Sequence, residues 1–377
     1  MSSADANPSA PANTASPGLF VRLWRLAFPP PALPRDSDAL RIGILGAASI
    51  APMSLITPAR HVPGILVASV AARSHERAKQ FAVKHGIPTT HASYDELIND
   101  PSIDAIYNPL PNSLHYEWTM KAIQAGKHVL LEKPATSNAD EAERLVAAAK
   151  TKGVVLLEAF HYRFHPAMLR VLDIVHSGEL GELRRIECRA VAPNVFNADD
   201  IRFNLGLAGG ACMDIGSYAL NAIRAVVGGI VPERVHEATA ELVAPDVDHT
   251  MHFTLDFDDG VTAVGEASLN CSWFNMISSL RVIGSQKELC LRNYILPTIW
   301  HSIVVQELPG GKKRTEKHYG DGSTTYAYML HHFVALCRGE TDDYVVTHDD
   351  TVGNMRTMDM VYQAAGLSVR GPPTPNA

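Results

Sequence analysis

Cysteine is scarce in this chain: Cys188, Cys212, Cys271, Cys290 and Cys337 lie scattered through 377 residues and never form a C-x-x-C pair. An odd, dispersed set excludes a disulfide frame and the usual zinc spacing. It reads as free thiols in a reducing compartment, which places the protein in the cytoplasm. Long apolar runs are missing too. None approaches the ~20 residues that a membrane-spanning helix needs, so no membrane span is expected. Positive charge is also short, with 33 Lys and Arg against 40 Asp and Glu and a net charge of −7. Without a basic stripe, a nucleic-acid partner is not expected. What remains is ordinary globular composition, 46% hydrophobic and 19% charged. The length suits two domains of roughly 100–200 residues each.

The first 18 residues are rich in Ala, Pro, Ser and Asn and read as disordered. The stretch LFVRLWRLAF follows, then PPPALP. Arg22 and Arg25 interrupt its apolar run, which makes a poor signal-peptide core. A weakly docking tail, a short amphipathic anchor, a targeting remnant and a segment against a partner subunit all fit. The reading divides the chain into a disordered tail (1–38), a nucleotide-binding domain (39–160), a second domain (161–370) and a short tail (371–377).

From Arg41 the pattern turns regular. RIGIL, LVASVAA, DAIYN, HVLLE and VVLLEAF are apolar strands. Between them come an apolar stretch reaching Arg60, the helix HERAKQFAVKHG capped by Ser74 and closed by Gly86, a helix over 113–125, and ADEAERLVAAAKTKG capped by Ser137 or Asn138. Strands alternating with amphipathic helices predict βαβ units and a doubly wound parallel sheet. After Phe160 the texture changes. Helices are predicted over 166–177, 214–227, 326–338 and 350–367. The strands MHFTLDF, VTAVGEAS, SLRVIGS, ELCLR and IVVQEL are joined by turn signals such as DDG and PGG. The fold class is α/β, with a second α+β domain carrying a largely antiparallel, open sheet. That sheet has too few helices to cover both faces, so an uncovered apolar face and a homodimer built through it are predicted.

The turn after the first strand, GILGAASIA, sets Gly46, Ala48 and Ala51 against G-x-G-x-x-G/A. The middle glycine is absent. Gly46 makes the tight turn, Ala51 permits close helix–strand packing, and Ala48, Ser49 and Ile50 face the pyrophosphate. An NAD site usually carries a carboxylate at the end of the second strand to hold the ribose hydroxyl. Here that strand ends in AARSHER. Arg73, Ser74 and Arg77 suit a 2′-phosphate, and NADP is the cofactor expected. Ser74 can cap the following helix at the same time.

Ligands of open α/β sheets sit at the carboxyl ends of the strands. There the sequence puts NPLPN, with Pro109, Leu110 and Asn112, and EKP, with Glu132 and Lys133. The second domain offers GGACMDIGSYALN, where Asp214, Tyr218 and Asn221 fall at i, i+4 and i+7 on one helix face. A tyrosine is a feeble base at its ordinary pKa of ~10, so a nearby ammonium is needed to favour phenolate. From these residues alone, plain packing of that helix on the sheet fits equally well.

In their order and spacing, GILGAASIA, NPLPNSLHYEW, EKP, EAFHYRFHP and GGACMDIGSY resemble the glucose–fructose oxidoreductase/inositol dehydrogenase (Gfo/Idh/MocA) family. Within it the chain looks most like dimeric dihydrodiol dehydrogenases and NADP-dependent D-xylose 1-dehydrogenases. The resemblance runs from about Arg41 to Leu367. It implies a Rossmann domain followed by an α/β domain whose open sheet often forms the subunit interface. It makes Lys133 the residue that contacts nicotinamide ribose and substrate hydroxyl, Tyr218 the acid/base group and Asp214 its companion. Pro109, Asn112 and His115 fall on the motif lining the nicotinamide. His161 replaces a pocket tryptophan of the dihydrodiol dehydrogenases, which favours a sugar over an aromatic diol.

His161, Arg163, Arg202, Asn221 and Trp273 complete a candidate substrate pocket. His161 and His165 are spaced i, i+4, but Pro166 and a missing third ligand argue against a metal. The expected activity is NADP-dependent oxidation of a cyclic aldose to its lactone, or of a trans-dihydrodiol. Two alternatives stay open: a non-catalytic NADP-sensing regulator of the same fold, and a redox-assisted glycosidase.

Overall fold

The computed structural model describes residues 17–27, 31–197 and 199–371. Of the expected terminal tails, residues 1–16, 28–30 and 372–377 fall outside these residues. Inside the N-terminal stretch, however, Leu19–Ala27 is a helix where composition suggested an unstructured tail. Arg22 docks it on the second domain. The buried guanidinium donates from Nε to the Ile299 carbonyl at 3.1 Å and lies 3.5 Å above the Tyr319 ring. Among the described residues, no helix is long and apolar enough to cross a membrane.

Six parallel strands form the first sheet: β1 (Leu40–Leu45), β2 (Ile65–Ala71), β3 (Thr89–His91), β4 (Ala105–Asn108), β5 (His128–Leu131) and β6 (Leu156–Glu158). Their order is β3-β2-β1-β4-β5-β6, the dinucleotide-binding arrangement, with its crevice where the order reverses between β1 and β4. Ile42, Ile44, Tyr107 and Leu130 are fully buried because helices cover both faces. The predicted caps form: Ser74 accepts from the Arg77 amide and Asn138 from the Glu141 amide. The short edge strand β3 gave no apolar signal, since TTH buries almost nothing.

The second sheet has eight strands: β7 (Leu183–Pro193), β8 (Arg234–Ala244), β9 (Val247–Asp256), β10 (Thr262–Cys271), β11 (Ser279–Gly284), β12 (Lys287–Arg292), β13 (Ser302–Glu307) and β14 (Lys313–Glu316). They run in the order β14-β13-β12-β11-β7-β10-β9-β8. Every pairing is antiparallel except β7 with β10, so the largely antiparallel sheet is as predicted. Ile186, Cys188, Ala190, Leu280 and Val282 point into the core. The opposite face is open, but it is not the apolar surface the sequence suggested. Alternation puts ion pairs there instead: Arg189 with Glu266 at 2.6 Å, and Glu187 with Arg281 at 3.2 Å. The edge strand β14 is wholly polar, and β8 mixes polar and apolar residues with none of them buried, which hid both from a hydrophobic pattern.

Candidate active site

The crevice begins at Gly46, whose amide donates to the Ala71 carbonyl at 2.7 Å. Its φ of 91° is open to glycine, and a Cβ there would come within 3.0 Å of the Leu110 side chain. Ala51 is fully buried, as close helix–strand packing requires, and Ser49 is exposed at the tip of the turn. The helix that follows starts as a single π turn, Pro52–Ile56, with proline at its first position. At the end of β2, Arg73, Ser74 and Arg77 are all exposed. These groups fit an adenosine 2′-phosphate: two cationic side chains and a hydroxyl, with Arg73 and Ser74 in place of a carboxylate directly after the strand.

Two loops form the rim beyond β4 and β5. Asn108 anchors the first, donating to Thr119 Oγ1 at 2.9 Å and accepting from the Leu110 amide at 3.2 Å. His115 sits between the first loop and the second. Its ring nitrogens lie 2.8 Å from the Pro134 carbonyl oxygen and 2.7 Å from that of Leu110. Burial lowers the ring's pKa to about 4, so the neutral imidazole has one N–H and donates to one of these two carbonyls, and the buried ring shapes the rim from behind. Pro109 and Leu110 are buried, while Asn112 reaches across to donate to the Ala208 carbonyl of the second domain at 3.0 Å. Buried Glu132 accepts from the Tyr107 hydroxyl at 2.6 Å, and burial pushes its carboxyl above the usual range.

Lys133 stands half-buried at the carboxyl end of β5. Its Nζ donates to both the Asp214 side chain and the Asp214 carbonyl, each at 2.7 Å, and lies 4.8 Å from the Tyr218 ring centre. Arg202 Nε donates to the other carboxylate oxygen of Asp214 at 2.7 Å. Burial alone would raise the Asp214 pKa, but Lys133 and Arg202 outweigh it and hold it down to about 2. The carboxylate is therefore ionised across the working pH range. Tyr218 is buried with its hydroxyl 3.0 Å from His161 Nε2, and burial pushes its pKa well above the ordinary value.

Asp214 does not open an α-helix as the predicted span 214–227 has it. It sits inside a π turn, Cys212–Gly216, that runs directly into the helix Ser217–Val226. Buried Asp248 holds that turn: it accepts from the Cys212 amide at 2.6 Å and pairs with Arg370 at 3.1 Å. Gly210 makes the fit possible, because a Cβ there would meet Asp248 Oδ1 at 2.2 Å.

Two family models cover the chain in succession. Residues 40–160 match the oxidoreductase family model described as an NAD-binding Rossmann fold, and residues 168–289 match the GFO/IDH/MocA C-terminal domain. The chain belongs to the Gfo/Idh/MocA oxidoreductase family. It is 36% identical over 327 residues to a D-xylose 1-dehydrogenase (NADP(+)) of Haloferax volcanii, covering 86% of this chain and 97% of the relative. It is 35% identical over 244 residues to the trans-1,2-dihydrobenzene-1,2-diol dehydrogenase of Bos taurus, covering 64% and 71%. The 3-ketoreductase KijD10 of Actinomadura kijaniata, solved with NADP and TDP-benzene, superposes with a TM-score of 0.78 at 26% identity. That match covers 89% of this chain and all of that one.

Not every candidate meets in the site of this Gfo/Idh/MocA oxidoreductase. Arg163 and Asn221 are buried in a structural network. Tyr162 donates to Asn221 Oδ1 at 2.7 Å, and Arg163 donates to the Val345 carbonyl at 2.9 Å. Trp273 is 64% exposed on the turn after β10. Tyr94 escaped the sequence reading. Its half-buried hydroxyl lies near Gly46 and takes a hydrogen bond from the Arg73 main chain, at the 2′-phosphate end of the crevice. The signal was present: Ser93 caps the helix by accepting from the Glu96 amide, and Glu96 reaches back to the Ala92 amide, which places Tyr94 at the helix start.

Proposed function

We propose that this NAD(P)-dependent oxidoreductase uses NADP+ to oxidise a cyclic aldose of the D-xylose kind to its lactone, or a trans-dihydrodiol to the matching ketone. The observation that carries the reading is the Lys133–Asp214–Tyr218 group at the carboxyl end of β5. The exposed Arg73 and Arg77, with Arg73 and Ser74 rather than a carboxylate directly after β2, support NADP over NAD, and the NADP-dependent relatives agree in kind.

When bound, NADP+ supplies the hydride acceptor. The chain's own residues move the proton and place the substrate. The carbinol C–H pair departs as hydride, the C=O bond forms, and the hydroxyl proton passes to Tyr218 Oη. Lys133 sets a positive charge beside the tyrosine, which favours the phenolate needed for that step. Asp214 holds the ammonium in place by two hydrogen bonds, and Arg202 fixes the far side of the carboxylate. Positioning and proton transfer together supply large rate factors without a metal. We also infer a homodimer formed through the open face of the eight-stranded sheet, whose crossed ion pairs can match a rotated copy of themselves.

The test is a screen of pentoses, hexoses and diols for NADP+ reduction, repeated with Tyr218→Phe. Turnover should fall by roughly two to four orders of magnitude in the variant, with NADPH binding intact. Tight NADPH binding with no substrate turned over would favour a sensor instead.

A further inference from the structure

The hydroxyl of the proposed acid/base tyrosine is met by a side chain other than Lys133. The lysine ammonium is spent on Asp214 and stands over the ring face, whereas His161 Nε2 lies 3.0 Å from Tyr218 Oη. His161 opens a 3₁₀ turn directly after β6, and the Tyr326 ring lies against it at 4.1 Å and 34°. The imidazole is 1% exposed, so its orientation is set by packing.

The proton on that ring can be placed by elimination. Nδ1 is buried and, among the described residues, has no hydrogen-bond partner. If Nε2 accepted the phenol proton, Nδ1 would carry an N–H with nowhere to donate, and orphaned buried donors are rare and costly. If Nε2 carries the hydrogen instead, it donates to the phenol oxygen, and only a lone pair is left facing the apolar interior.

We propose that His161 is a positioning residue for proton transfer, its Nε2–H donating to the Tyr218 oxygen so that the phenolate is held ready to take the substrate hydroxyl's proton, with its free lone pairs turned toward the substrate. This rests on the reading of Tyr218 as the acid/base group. Burial keeps the imidazole neutral, lowering its pKa to about 3, and Lys133 and His165 push the same way. The groups facing Tyr218 make a donor necessary. Burial raises its pKa first, and Tyr326, Glu132, Asp214 and Tyr162 add to the rise, so the Lys133 ammonium meets considerable opposition. One donated hydrogen bond to an anion is of the size that matters here.

The experiment compares His161→Leu and His161→Gln by pH–rate profile on the best substrate of the screen, with NADPH titration alongside. The Leu variant should lose roughly 10- to 100-fold in kcat, the worth of one hydrogen bond to a charged group. The limb that reports Tyr218 should move up by about one pH unit or more. The Gln variant, whose amide still donates, should recover most of both, and NADPH affinity should stay within about twofold throughout. A Leu variant with unchanged kcat and unchanged limb overturns the proposal. So does ¹⁵N NMR of the unaltered enzyme showing the hydrogen on His161 Nδ1, a measurement that stands even where the Leu variant does not fold. Tyr218→Phe separates the two levels. If it keeps full turnover, the acid/base reading fails and takes this one with it. If it is inactive while His161→Leu is unaffected, only the role of His161 is wrong.

Discussion

Asp214 grips Lys133 twice, once with its carboxylate and once with its main-chain carbonyl, both at 2.7 Å. Asp214→Asn keeps the shape and removes the charge. Turnover should fall roughly 10- to 100-fold, the scale of a lost charge-assisted contact. The folded-state pKa of about 2 lies below the ordinary 3.8, so ionised Asp214 stabilises the fold above pH ~4, and that contribution disappears as pH falls toward 2. Urea midpoints of parent and variant should therefore differ at pH 6 and converge toward pH 2.

Arg73 is exposed at the end of β2, beside Ser74 and Arg77. The parent should bind NADPH at least about tenfold tighter than NADH. Arg73→Ala should remove most of that preference, a loss of ~1–3 kcal/mol for one charge-assisted contact. Fluorescence titration of both cofactors measures it, and equal affinities in the parent would refute the 2′-phosphate assignment.

Glu158, at the end of β6, is buried and accepts from the Ala135 amide at 2.9 Å. Burial raises its pKa from 4.5 to about 8, against weaker opposition from Thr351 and the Ala135 amide. The unfolded chain ionises this group near 4.5 and the folded chain does not, so stability declines as pH climbs from about 4.5 to 8. Glu158→Gln should flatten that decline and leave the variant more stable than the parent at pH 8. Urea midpoints taken at pH 5 and pH 8 decide the matter.

Arg189 and Glu266 pair across the open face of the second sheet at 2.6 Å. At micromolar concentration the parent should sediment as a dimer. Arg189→Glu sets two like charges side by side and should shift the protein to monomer. A parent of monomer mass would count against an interface on this sheet.

The parts of the molecule written in strong apolar periodicity were legible from the sequence. The strands β1, β2, β4, β5 and β6 follow from buried Ile, Val and Leu runs, and Lys133 follows from its place after one of them. Arg73 was found because a carboxylate was missing where one usually stands. The π turn at Cys212–Gly216 was not legible, because buried Asp248 and Arg370, from distant parts of the chain, hold it. Asp214 therefore reaches Lys133 from inside a helix and not from its end. Arg163 and Asn221 looked available for substrate, but their partners Tyr162 and Val345 are tertiary contacts that no spacing reveals. The face of the second sheet was misjudged for a related reason. Arg and Glu alternate there with core residues, and strand alternation alone does not say whether the outward set is solvated or paired.

The buried imidazole of His115 is wedged between the loop after β4 and the loop after β5, within hydrogen-bond reach of a carbonyl on each. A cofactor entering the crevice then meets two walls already braced by one ring, and little conformational freedom is left to surrender on binding. Removing that wedge would cost affinity without removing any contact to the ligand, and the loss would appear mainly as a less favourable binding entropy.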